Sequence, residues 1–98
     1  MNLLFETKEK LADYGKTLED VRWIECDGKE VPIELFCIEA DMEYDNDYGS
    51  AEVKASLVIV GDGWWLERAE YDGSEWWEYK ENPTKPTWTY GYDFTPFY

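Results

Sequence analysis

Histidine is absent from this chain. With it go histidine general bases, His-activated serine or cysteine nucleophiles and His-ligated zinc. Cations are scarce as well: nine lysines and arginines stand against 23 aspartates and glutamates, a formal charge of -14 over 98 residues. Direct binding to DNA or RNA phosphates draws on clustered Lys and Arg, so no face of this chain is expected to take nucleic acid directly. Cysteine is limited to Cys26 and Cys37, both in apolar or alternating runs and without the CxxC spacing of a metal or redox pair. Two buried free thiols in a reducing cytoplasm are the expectation. Long apolar runs are missing too. Met1-Asn2-Leu3-Leu4-Phe5 is followed at once by acids and lysines, so neither a signal peptide nor a membrane span is expected, and the expected compartment is the cytoplasm.

Aromatic side chains, by contrast, make up 18% of the chain. Disordered acidic segments carry few aromatics, so this chain is expected to fold. Its length suits one domain with a single modest core. Two carboxylates working as acid and base in an aromatic cleft would need more superstructure than that, and no enzyme is expected. The surplus of negative charge favours solubility and positive partners, so a basic protein is the expected partner, including one that itself binds nucleic acid. The alternative is an acidic surface that is merely solvated.

Along the chain, Leu4, Phe5, Leu11 and Tyr14 recur near helical spacing, with Gly15 placed where a helix would stop. Thr17 to Asp20 has the residues to cap a further turn. Val21 to Cys26 alternates in the manner of a strand and is closed by Asp27-Gly28. Ile33 to Tyr44 fits a helical face through Ile33, Phe36, Cys37 and Ala40, and fits a strand through Ile33, Leu35 and Cys37; Pro32 at the start and good helix formers within favour helix. Asp45 to Ser50 clusters Asn, Asp and Gly and is expected to be a loop. Ser56 to Val60 reads as a central strand bounded by Gly61-Asp62-Gly63. Trp64 to Tyr71 and Glu75 to Lys80 follow, joined by Asp72-Gly73, a pair suited to a tight hairpin turn, so these strands form an antiparallel meander. Pro83, Pro86 and Pro96 then break up an aromatic tail. The expected fold is α+β: an antiparallel sheet of about four strands, with one or two short helices on one face, spanning residues 1-82 and followed by the tail at 83-98.

Tryptophan doublets flank the Asp72-Gly73 turn, and neighbouring strand residues point to opposite faces, so each doublet sends one indole to each side. A two-residue loop sets Ala69 opposite Trp76, Arg68 opposite Trp77 and Leu66 opposite Tyr79. One face then carries Trp64, Leu66, Arg68, Trp77 and Tyr79, and the other Trp65, Ala69, Tyr71 and Trp76. That register also opposes Glu67 to Glu78 and Glu70 to Glu75, which is unfavourable in a ladder; a three-residue loop would instead bring Arg68 opposite Glu78. One face packs against the helices. The second is either covered by the aromatic tail or left as an aromatic patch ringed by carboxylates, the composition of a binding surface.

The run from Leu57 through Trp64-Trp65-Leu66-Glu67-Arg68 to Glu70-Tyr71-Asp72-Gly73-Ser74-Glu75-Trp76-Trp77-Glu78-Tyr79-Lys80, with Tyr44-Asp45-Asn46 and Tyr48-Gly49 upstream, resembles a group of small acidic proteins carried by prophages and mobile elements of gut Firmicutes. The resemblance covers roughly residues 16 to 82 and is most specific in the WLER and EYDGSEWWE portions. It implies a mobile-element context and brings no assigned activity.

Asp41, Glu43, Asp45 and Glu52 fall at positions 1, 3, 5 and 12 of a calcium-loop spacing. Asn46 replaces the usual glycine and Tyr48 the usual aliphatic residue, so calcium stands as an alternative to a solvated loop. The expected function is that of a non-enzymatic acidic binding protein, in its sharpest form a nucleic-acid mimic that inhibits a basic nucleic-acid-binding host protein. Asp41, Glu43, Asp45 and Asp47 are the candidate charge row, with Trp65, Tyr71 and Trp76 as anchors. A calcium-stabilised module, a carbohydrate or peptide binder using the Trp face, and a phage assembly protein are the alternatives. The chain is expected to be a monomer or weak homodimer.

Overall fold

Asn2 starts the first element. Its side-chain oxygen accepts from the Phe5 backbone N–H at 2.9 Å, closing one of the open donors at the start of helix α1, Leu3–Asp13. Gly15, at φ +70, lets the chain leave the helix. The buried face of α1 is Leu3, Thr7 and Leu11, whereas Phe5 and Tyr14 of the predicted apolar face are exposed. A computed structural model describes residues 1–44 and 53–83; of the expectations above, the loop at Asp45 to Ser50 and the tail beyond Pro83 lie outside these. A short 3-10 turn, Leu18–Asp20, follows, with the expected capping box between Thr17 and Asp20.

The sheet has five strands: β1 Val21–Cys26, β2 Lys29–Val31, β3 Val58–Gly61, β4 Trp64–Tyr71 and β5 Ser74–Glu81. Every neighbouring pair is antiparallel, in the order β2-β1-β3-β4-β5. The additional strand relative to the expected four is β2, which pairs with β1 across Asp27-Gly28. Both of those residues have positive φ, 55 and 77, as do Asp72 and Gly73 at 53 and 86. These are the left-handed conformations that a two-residue hairpin turn demands. Lys54 and Ser56 then clamp the first turn, through Lys54 Nζ to Asp27 Oδ2 at 2.8 Å and Ser56 Oγ to Asp27 Oδ1 at 2.6 Å. Those hydrogen bonds, Lys54's first, hold the Asp27 carboxyl below its ordinary range.

Helix α2, Ile33–Glu39, carries the chain from β2 toward β3. It begins after Pro32, as the sequence implies, and is shorter than the predicted segment; its one fully buried side chain is Phe36. Both helices lie on one side of the sheet, α1 against β5 and α2 against β1. Between helices and sheet sits the core of Leu3, Leu11, Val21, Ile24, Phe36, Ile59, Trp64, Leu66 and Trp77. Tyr79 extends this inner side, stacked between Tyr14 at 3.8 Å and Trp64 at 5.9 Å. The cysteines are free thiols, as expected, but half-buried rather than buried.

One irregularity matters for the other side of the sheet. In the β1–β3 ladder Val21 pairs with Gly61 and Trp23 with Val60, so the register slips at Arg22. Such a bulge breaks the simple alternation of faces. Val21 and Ile24 both point into the core, and Arg22 and Trp23 are both exposed.

Candidate functional site

The β4–β5 register is the one that a two-residue loop requires: Leu66 opposite Tyr79, Arg68 opposite Trp77 and Ala69 opposite Trp76. Each doublet is split accordingly. Trp64 and Trp77 are buried, at 4% and 1% exposure, while Trp76 is exposed and Trp65 half-buried on the far side.

On the inner side the charged residues are locked together. Arg68 and Glu75 are nearly fully buried, with Arg68 Nη2 3.0 Å from Glu75 Oε1. The same Nη2 donates to Tyr44 Oη at 3.1 Å, and Tyr44 donates in turn to Glu6. Arg68 Nη1 lies 3.5 Å from Glu6 Oε2, and the guanidinium is flanked by the rings of Trp77 at 4.8 Å and Tyr44 at 5.6 Å. Glu75 also accepts from the Val53 backbone N–H at 3.0 Å. Trp77 Nε1 donates to Thr7 Oγ1 at 2.8 Å, and Thr7 donates to the Leu3 carbonyl at 2.7 Å. Burial, with the hydrogen bond to Glu6, pushes the Tyr44 phenol up to about 12. This cluster joins α1, Tyr44 and the β4–β5 hairpin at the sheet edge; it is a structural joint inside the core.

The outer side is built differently. Reading straight across the strands, one row is Trp23, Val60, Trp65 and Lys80. The next row is Glu30, Glu25, Val58, Glu67 and Glu78, so four of its five positions are glutamates. Beyond it Trp76 lies beside Ala69, and Tyr71 beside Ser74. The predicted anchors Trp65, Tyr71 and Trp76 therefore share this face. Trp23 joins them, and Tyr71 and Trp23 are 76% and 42% exposed.

Each of two indoles on this face is held by the glutamate two residues further along its own strand. Trp23 Nε1 donates to Glu25 Oε2 at 3.2 Å, and Trp65 Nε1 to Glu67 Oε2 at 3.0 Å. The Trp65 hydrogen bond is the main cause that keeps the Glu67 carboxyl below its usual range, with Lys80 assisting. Lys80 reaches both members of the opposed Glu67 and Glu78 pair, at 3.3 and 3.6 Å, which offsets the like-charge contact. At the end of this face Trp23, Val60, Trp65, Asp62 and Asn82 line an open cleft.

The predicted acidic row fares otherwise. Asp41 and Glu43 are exposed, but Asp41 accepts from Asn2 Nδ2 at 2.9 Å and Glu43 pairs with the N-terminal ammonium at 3.1 Å. Both thus help to tie the chain start to the segment after α2. Asp45, Asp47 and Glu52 lie outside the described residues, and among the described residues no group of three or more His, Cys, Asp or Glu is arranged to hold a metal ion. No helix among the described residues is long and apolar enough to cross a membrane. No family model matches the chain, and no curated protein or solved structure shows significant similarity to it.

Proposed function

We propose that this chain is a non-enzymatic binding protein that engages a basic protein through the outer face of its sheet. The observation that carries this reading is the row of Glu30, Glu25, Glu67 and Glu78 set between exposed indoles on one face. Fixed carboxylates supply attraction, rapid encounter and register, while Trp and Tyr supply the rigid contact area that concentrates binding energy. In its sharpest form the proposal is nucleic-acid mimicry: the carboxylates occupy a channel in which the partner otherwise takes phosphates. The resemblance to proteins of prophages and mobile elements adds a context, in which the partner is a host nucleic-acid-binding protein such as a defence nuclease.

The test is affinity capture from a bacterial lysate at low and at high salt, followed by competition. Support requires a basic nucleic-acid-binding protein that is retained at low salt, released at high salt, displaced by added DNA or RNA, and lost when Glu25, Glu30, Glu67 and Glu78 are all changed to Gln. Retention that ignores salt and nucleic acid would overturn mimicry.

A further inference from the structure

Among the described residues, the outer face is concave between two tryptophans on different strands. Trp23 on β1 and Trp65 on β4 both pair with Val60 of β3, so they stand in one row with a single small side chain between them. Neighbouring strands lie about 4.8 Å apart, which puts the two tryptophan backbones roughly 10 Å apart and the midpoint about 5 Å from each. A cation held within about 6 Å of a ring centroid is attracted by its face. The cleft there has a volume of about 270 Å³, below the roughly 300–1,000 Å³ typical of small-molecule sites, so it suits one side chain rather than a whole metabolite.

The walls are set in advance. Both indole N–H groups are already bonded, Trp23 to Glu25 and Trp65 to Glu67, so little ordering is left for a guest to impose. Among the described residues, the cleft is lined by one cation and one acid, Arg22 and Asp62, and the Glu25 and Glu67 carboxylates stand at its two indoles. Asp62, with its side chain 90% exposed, stands at the rim and touches Arg22 only at 3.8 Å. An exposed pair at that distance is weak and easily exchanged for another cation.

We propose that the Trp23–Trp65 cleft receives the head group of a lysine or arginine side chain from a basic protein segment. This deepens the reading under Proposed function and rests on it. The Glu25 and Glu67 carboxylates beside the cleft then meet the flanking cations of the same segment.

The test is calorimetric titration of the full chain, at low salt, with an acetylated and amidated hexa-arginine peptide and its hexa-lysine counterpart. Trp23→Ala and Trp65→Ala are each expected to weaken binding about tenfold. Trp23→Phe, which keeps an aromatic wall and guards against a folding defect, should fall between Trp23→Ala and the parent chain. Phe5→Ala, an exposed aromatic change on the helix side of the sheet, should change binding less than twofold. If the peptides bind the tryptophan variants as tightly as the parent while the fourfold Glu→Gln chain loses them, the cleft assignment falls and the basic-partner reading stands. If neither peptide binds the parent chain, both fall. Cellohexaose binding more tightly than either peptide would also overturn the assignment, because a neutral sugar would then be the cleft's guest.

Discussion

The two faces of the β4–β5 hairpin use the same residue types to opposite ends. Inside, Arg68 is paired with Glu75, Glu6 and Tyr44 away from water and Trp77 closes over the guanidinium, although Arg68 Nε and Nη1 make no hydrogen bond among the described residues. Outside, Glu25, Glu67, Glu78 and Lys80 remain within reach of solvent, and the indole N–H groups of Trp23 and Trp65 donate to carboxylates. Parity along a strand decides which task a tryptophan or glutamate receives. Removing a partner inside leaves charge stranded in a dry environment, whereas outside water and ions take its place.

The sharpest way to separate the faces is therefore Arg68→Ala. It leaves Glu6 and Glu75 without their shared cation, and a loss of about 3–5 kcal/mol in urea unfolding is expected. Lys80→Ala removes the cation that bridges two glutamates outside and should cost less than about 1 kcal/mol. Equal losses would erase the distinction.

The second contrast takes one residue from the same doublet on each side. Trp77→Ala removes an indole that is 1% exposed and strips Thr7 of its donor; about 3–5 kcal/mol is expected. Trp76→Ala, at 36% exposure, should cost less than half as much. Chemical denaturation of both variants under one condition decides it.

The hairpin is legible in the sequence because Asp72-Gly73 favours a tight turn, but its register is not. A two-residue loop puts Arg68 on the same face as Trp64, Leu66, Trp77 and Tyr79, a three-residue loop sets it opposite Glu78, and the ladder is that of the two-residue loop. The partners of Arg68 are not legible: Glu6 belongs to a helix at the other end of the chain, and pairing across such a separation leaves no local pattern. β2 leaves no mark in the sequence because Lys29-Glu30-Val31 is too short to show a period, although Asp27-Gly28 carries the same turn chemistry as Asp72-Gly73. The outward place of Trp23 is hidden for another reason. Strict alternation groups Trp23 with Val21, and the bulge at Arg22 parts them, sending Val21 inward and Trp23 outward. A one-residue slip of this kind is invisible in composition.

A third prediction probes how closely the inner face is packed. A Cβ added at Gly61 would lie 1.9 Å from Trp64 Cε2, so Gly61→Ala forces the indole or the strand to move. A loss of about 1–3 kcal/mol is expected. Gly61→Ala with Trp64→Leu should recover part of it if ring contact is the cause, and thermal melting of single and double variants reads the difference.

The inner face also predicts alkaline behaviour. Tyr44 titrates near 10 when unfolded and is pushed up to about 12 when folded. The folded chain holds that proton more tightly, so the stabilisation it brings is complete below pH 10 and is lost as pH rises toward about 12. Tyr44→Phe should flatten this part of the stability curve, measured by urea unfolding across the same range.

The smallest expected effect lies outside, at Glu67→Gln, and its sign is informative. Glu67 faces Glu78 directly, so losing its charge relieves repulsion; it also accepts from Trp65 and pairs with Lys80, so losing its charge weakens two attractions. The depressed carboxyl pKa, caused first by the Trp65 hydrogen bond, says that attraction prevails. A group whose folded pKa is lowered adds stability above its unfolded pKa and loses it as pH falls through the folded one. Glu67→Gln should therefore be less stable than the parent at neutral pH, by less than about 1 kcal/mol, and the difference should close as pH drops below the usual carboxylate range. A variant that is more stable at neutral pH would mean that repulsion across the glutamate row dominates, and that Trp65 is positioned by its ring contacts rather than by its N–H.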